Sequence, residues 1–343
     1  MLVVFFKTAC IFLISAAGFV LRRRGIIDTA FNRQLSLLQI NVVYPALILS
    51  SQTRNFTWPS LLTHWPLPAG SALIMLTGWA AGLAALPLLR REPAPTRAMF
   101  RFQCTINNYS FLPIMLATTL LDEQGVAQII FSALGAELVV WTLGLQALTG
   151  SAVPAGRGDG APPSRAACLA DGVQRLAAGL RNLASMPLLA MAAAAGWLLL
   201  RHHAGAALGA CQANAAGGAF ADMVATALQM TGQATIPLAA IIVGSRIAEI
   251  QAGHLFTRLI VLTTFLRLAA IPALATLLLF LLPFPPAVRP ALLIVAVQPC
   301  SMASVMFGEA YRCDARFAAA TVLATHATCL LTIPLWLSAP WWD

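Results

Sequence analysis

Charge is scarce in this chain. Only 10% of its 343 residues are Asp, Glu, Lys or Arg, whereas 59% are hydrophobic, and the mean hydropathy is +0.80. A soluble domain carries roughly 25% charged residues. The deficit excludes an ordinary soluble core and leaves a polytopic membrane protein. Acids are rarer still: 12 Asp and Glu stand against 21 Lys and Arg, for a net charge of +9. That excess does not mark a nucleic-acid binder, because the arginines fall in short loops between apolar stretches, where membrane topology is encoded. The seven cysteines are scattered and give neither a disulfide framework nor a metal-ligand spacing. The adjacent pair His202-His203 is a weak metal signal by itself. No Gly-rich phosphate loop with Lys-Ser/Thr is present, so ATP is not the direct energy source. No nucleophile and base stand together, so the chain is not expected to be an enzyme or to hold a cofactor or metal.

What the chain does have is apolar length. Stretches of about 20 residues, enough to span a bilayer, fall at 2–21, 32–51, 66–89, 98–121, 125–149, 184–202, 219–245, 255–282, 287–310 and 316–338. The reading is an all-α polytopic membrane protein of ten transmembrane helices. One set of loops carries the arginine run from Arg22-Arg23-Arg24 through Arg90, Arg91, Arg157 and Arg246 to Arg312 and Arg316. The opposite set carries only Arg54, Arg201, Arg289 and Lys7. The positive-inside bias puts the first set in the cytoplasm and both termini outside. The first apolar run precedes its arginine cluster with no basic segment before it, so it reads as a retained span and not a cleaved signal.

The longest connection, 151–182, divides the chain into a first five-helix repeat (1–150) and a second (183–343). An odd number of spans per half turns the halves upside down relative to one another, which makes a 5+5 inverted repeat. Within the connection, Leu169, Val173, Leu176 and Leu180 recur at helical spacing and suit an amphipathic helix on the inner leaflet. Weak internal symmetry agrees with the division. Tyr44-Pro45 resembles Ile236-Pro237 at an offset of 192, and Asn108 and Cys300 share that offset.

Two of the spans are interrupted by polar, proline-punctuated segments. The fourth holds Asn107, Asn108, Tyr109 and Ser110, with Pro113 following; the ninth holds Gln298, Pro299, Cys300, Ser301 and Ser304. Non-helical backbone at membrane depth survives only where protein buries it or a wet cavity adjoins it. Matched breaks in two halves are the sequence pointer to a transporter's substrate site. We therefore expect crossed, discontinuous helices 4 and 9, with those polar residues binding substrate and with Pro113 and Pro299 as helix-break prolines. The half-helix N-termini favour an anion. A pair of ordinary proline kinks is the alternative.

Two ionisable residues lie mid-span: Glu137 in the fifth and Arg267 in the eighth. Intramembrane charge is costly and functional by default. Either the two form an ion pair that steadies the bundle, or Glu137 couples a proton and Arg267 is a substrate counter-ion. His326 in the tenth span reads as a packed, hydrogen-bonded histidine rather than a relay.

At these residues the sequence resembles the auxin efflux carrier family, in its bacterial permease branch. The carriers of the resemblance are Asn107 to Pro113, Pro299 to Ser304 with Tyr311 and Asp314, Ile236-Pro237-Leu238 through Gly244, and Ile333-Pro334-Leu335-Trp336. It implies the ten-helix inverted-repeat fold, a scaffold of spans 1, 2, 6 and 7, and a moving domain of spans 3–5 and 8–10. It implies small organic anions as substrates, including malonate and malate in bacteria, an inner-membrane location with periplasmic termini, and a homodimer. Many members have Gly after the crossover Asn, whereas this chain has Tyr109. The expected function is secondary transport of a small mono- or dicarboxylate, elevator-like, with protons or sodium as candidate coupling ions. The rivals are a cation/proton antiporter of the same architecture, a non-transporting sensor and an intramembrane enzyme.

Overall fold

Prolines set where this chain's long helices bend. A proline inside a helix removes one backbone donor and collides with the preceding turn. In the computed structural model, which describes residues 2–149, 186–205, 215–249 and 257–338, two such sites are handled alike. Helices α1 (Leu2–Arg23) and α2 (Thr29–Leu38) are followed by a π-turn at Gln39–Val43, and α3 (Tyr44–Asn55) then starts with Pro45 in its first turn. The same sequence of events recurs where a π-turn at Leu266–Ala270 precedes Pro272. The residue accommodated by the wider turn moves the ladder past the missing donor. The amphipathic segment expected within 151–182 lies outside the described residues.

The next helices are α4 (Trp58–Thr63), α5 (Pro66–Ala85), α6 (Ala94–Thr105), α7 (Phe111–Leu120), α8 (Glu123–Val139) and α9 (Leu145–Thr149). Then come α10 (Met186–His203), α11 (Ala215–Gln233), α12 (Thr235–Glu249), α13 (Arg258–Phe265), α14 (Ile271–Leu281), α15 (Arg289–Ala296), α16 (Ala303–Ala310) and α17 (Ala315–Leu337). Among the described residues there is no strand, and six continuous helical stretches are long and apolar enough to cross a membrane. Three of the scarce acids serve as helix N-caps. Asp28, Asp122 and Asp314 accept from the backbone N–H of Phe31, Gly125 and Phe317 at 2.6, 2.8 and 2.9 Å. A cap of this kind contributes about 0.5–2 kcal/mol.

The helices pack in two groups. In one, α1 runs along α12, and α3 lies against α10 and α11. In the other, α5 packs on α6, α8, α14 and α15, while α13 and α16 pack on α17. Lipid offers no hydrophobic drive to helix pairing, so close backbone approach matters. Gly244 of α12 sits directly on the Ser15 carbonyl of α1, and Gly135 of α8 sits on the Pro68 carbonyl of α5. A Cβ at either position would overlap backbone. In the first group Gln39 also donates to the Thr235 carbonyl at 3.0 Å, and Thr235 Oγ1 donates to the Val43 carbonyl at 3.3 Å. That second pair is separated by 192 residues, the offset seen in the sequence.

Candidate functional site

The two interruptions meet. Between α6 and α7 the chain leaves helical geometry at Ile106–Ser110; between α15 and α16 it does so at Val297–Met302. These segments run antiparallel and pair Asn107 with Cys300. The Asn108 N–H donates to the Pro299 carbonyl at 2.8 Å, and the Ser301 N–H donates to the Ile106 carbonyl at 3.3 Å. The Cys300 N–H donates to Thr325 Oγ1 at 3.4 Å. Backbone groups released from two helix ladders thus satisfy one another, as a low-dielectric setting requires.

The break residues divide into two sets. Asn108, Tyr109, Ser110 and Ser301 line a cavity of about 1160 Å³. The cavity is also walled by Ser36, Gln39, Ile242 and Val243 from the other packing group, and its rim carries Glu92, Arg246, Arg258, Asp314 and Arg316. The starts of α7 and α16, at Phe111 and Ala303, face into it. Asn107, Gln298, Cys300 and Ser304 are fully buried and do not line it. Asn107 Nδ2 donates to the Val295 carbonyl at 2.6 Å, and Gln298 Nε2 donates to the Ile294 carbonyl at 2.7 Å. Both amides fasten the end of α15. Ser304 Oγ donates to the Ser301 carbonyl at 2.6 Å and accepts from Gln103 at 3.2 Å. Pro113 lies in the first turn of α7, where its missing donor costs nothing, and Pro299 supplies the carbonyl that Asn108 uses.

Three contributors lie outside the two breaks, and one of them, His326, is packed and hydrogen-bonded as its sequence reading has it. Gln103 ties α6 to Ser304 and to the Ala318 carbonyl, the latter at 3.0 Å. His326 stands 3.5 Å from the Asn108 amide, with its Nδ1 2.9 Å from the Val322 carbonyl. That geometry makes Nδ1 the donor and leaves Nε2 to accept. Tyr44, at the start of α3, packs its ring 5.6 Å from that of Phe111. The signal for His326 was the Thr321-Thr325-His326 polar stripe in an otherwise apolar helix; for Tyr44 there was none beyond the neighbouring proline.

A family model described as membrane transport protein matches residues 3–155 and 212–337. The chain belongs to the auxin efflux carrier family. It is an integral membrane transport protein, and the family consists of transporters and not enzymes. No curated protein matches it.

In this carrier the mid-span acid and base do not pair. Glu137 Oε1 accepts from the Tyr109 hydroxyl at 2.8 Å, and Oε2 accepts from the Trp141 indole at 2.9 Å. Arg267, fully buried, donates to the Cys104 carbonyl at 2.8 Å, near the end of α6. Its Nε and Nη2 have no partner among the described residues, and it does not line the cavity. Of the two alternatives, the ion pair therefore gives way to two separate attachments. Tyrosine and indole donors occupy the carboxylate, and a half-helix C-terminus with its partial negative charge holds the guanidinium. No group of His, Cys, Asp and Glu with metal-site geometry occurs among the described residues.

Proposed function

We propose that this carrier is a secondary transporter of a small organic anion, such as a mono- or dicarboxylate. The observation that carries the reading is the wall of the large cavity. The buried Asn108 and Ser301 line it together with Ser110 and the first turns of α7 and α16; of its two acids, Asp314 already caps α17 and accepts from Thr96, and Glu92 is exposed. Amides, hydroxyls and free helix N–H groups together stabilise an anion. The arginines at the rim raise the local concentration of anions.

In this reading the chain has ten spans in a 5+5 inverted repeat, and spans 4 and 9 cross at the paired breaks. Support comes from helix in each expected apolar range and from the shared 192-residue offset. The packing group of α1, α3 and α10–α12 is the scaffold, and the other group slides against it as an elevator. The arginine-rich rim faces the cytoplasm of a bacterial inner membrane, with both termini periplasmic. The exposed Phe220, Met223 and Met230 of α11 meet lipid or the second subunit of a homodimer.

The test is uptake of labelled malonate and malate into proteoliposomes. Asn108→Ala and Ser301→Ala should each lower uptake at least about tenfold, the loss of about 1.4 kcal/mol of binding or more. Unchanged uptake in both variants refutes the site. A cation/proton antiporter would instead show cation flux that carboxylates do not affect; the lack of an acid in either break argues against it.

A further inference from the structure

Glu137 is held in an unusual way for an acid in a membrane span. Among the described residues no cation touches it; two neutral donors do. It is not among the residues that line the cavity, but its partner Tyr109 is. A path of exchangeable hydrogens therefore runs from cavity to carboxylate through one hydroxyl, from Tyr109 Oη to Glu137 Oε1. On the same helix as Glu137, the neighbouring Leu138 is an exposed apolar side chain. Tyr109, and not Trp141, is the hydrogen-bond partner of Glu137 that lines the cavity.

We infer that Tyr109 forms a proton path between the substrate cavity and Glu137, so that one proton loads with the anion. The proposal rests on the transport reading above. The transfer balances. A hydronium in the cavity gives a proton to Tyr109 Oη as Tyr109 passes its own hydrogen to Glu137 Oε1. One O–H bond forms and one breaks at the phenol, the hydronium becomes water, and Glu137 ends neutral. The new carboxylic O–H then donates back to Tyr109, and Trp141 still donates to Oε2. Both protonation states keep all hydrogen bonds, with only their direction reversed, so loading requires no repacking.

The groups around Glu137 are consistent with this. Facing it from other elements are the titratable side chains Tyr109 and Tyr44. Tyr311 stands one ring further, stacked on the Phe307 that meets Trp141. Helices α5 and α7 carry no ionisable side chain. Arg54 of α3 is turned to Glu123 at 3.8 Å, and Arg289 of α15 lies over the Phe280 ring. Among the described residues no cation adjoins the carboxylate.

The experiment uses the full chain in proteoliposomes with a pH-sensitive dye in the lumen. Labelled malonate and malate are added outside, and proton entry is read per anion entered. Wild type should show a fixed ratio. In Glu137→Gln the ratio should fall to that of protein-free liposomes, and Glu137→Asp should restore it. Gln keeps the shape and an acceptor oxygen, so a merely structural Glu137 would leave the ratio unmoved. Tyr109→Phe removes one hydroxyl only and should lower the ratio while Tyr44→Phe leaves a measurable one. Anion flux without proton flux in wild type overturns the path but leaves the transport reading intact. A ratio that survives in both Glu137→Gln and Tyr109→Phe does the same. Absence of anion flux in wild type defeats the transport reading and the path with it.

Discussion

Neighbouring residues in one motif do different work here. Asn107 and Asn108 are adjacent and chemically identical, yet Asn107 fastens the end of α15 while Asn108 faces the cavity. Extended backbone sends successive side chains to opposite faces, so one of the two had to turn inward. Sequence alone located the pair but not which would turn, because that depends on the partner segment. Arg267 was legible as an intramembrane charge, but its partner was not, since a backbone carbonyl leaves no mark in sequence. Its placement away from the cavity carries a prediction. Arg267→Met should destabilise the protein rather than weaken anion binding selectively. The Cys104 carbonyl would lose its donor, a cost of about 1–3 kcal/mol for a buried polar group. Thermal unfolding in detergent should show a lowered midpoint, with anion affinity in the surviving folded protein within a few fold of wild type. A large affinity loss at unchanged midpoint would restore the counter-ion role.

At the scale of elements, the breaks were the most readable features. Asn, Ser and Pro inside a long apolar stretch announce a lost ladder, and no soluble loop competes as an explanation. The π-turns at Gln39–Val43 and Leu266–Ala270 were not readable, although the prolines that follow them were. A proline permits a kink, a π-turn or a break, and tertiary contacts select among them. Glycine contacts were equally hidden, because nothing in the sequence separates glycines such as Gly18, Gly78, Gly135, Gly232 and Gly244, which sit against backbone of another helix, from Gly196, which meets nothing. The close contacts make a sharp prediction. Gly135→Val and Gly244→Val should each lower stability by about 1–3 kcal/mol or more through forced separation of helices. Gly196→Val, in open space on α10, should be near neutral. Folded yield after solubilisation reads the difference; equal yields for all three would contradict the close packing.

For the whole molecule, composition settled the class before any motif was considered, since a chain this poor in charge has no soluble solution. The division into two packing groups was legible only through family resemblance. Nothing in hydropathy says which apolar helix touches which. The cavity lies where the two groups meet, and residues of both line it. Its floor is the paired breaks, and its rim is rich in arginine. If the groups move against each other, the floor is exposed first to one side of the membrane and then to the other. The most direct measurement is modification of a thiol placed at Ser301. In a background with Cys10, Cys168, Cys211 and Cys313 replaced, Ser301→Cys is exposed to a membrane-impermeant thiol reagent from each side. The account predicts reaction from the arginine-rich side, slowed by a carboxylate that the wild-type protein transports. A thiol inaccessible from that side, or one whose reaction no transported carboxylate slows even at concentrations far above those that saturate the wild type, would contradict it.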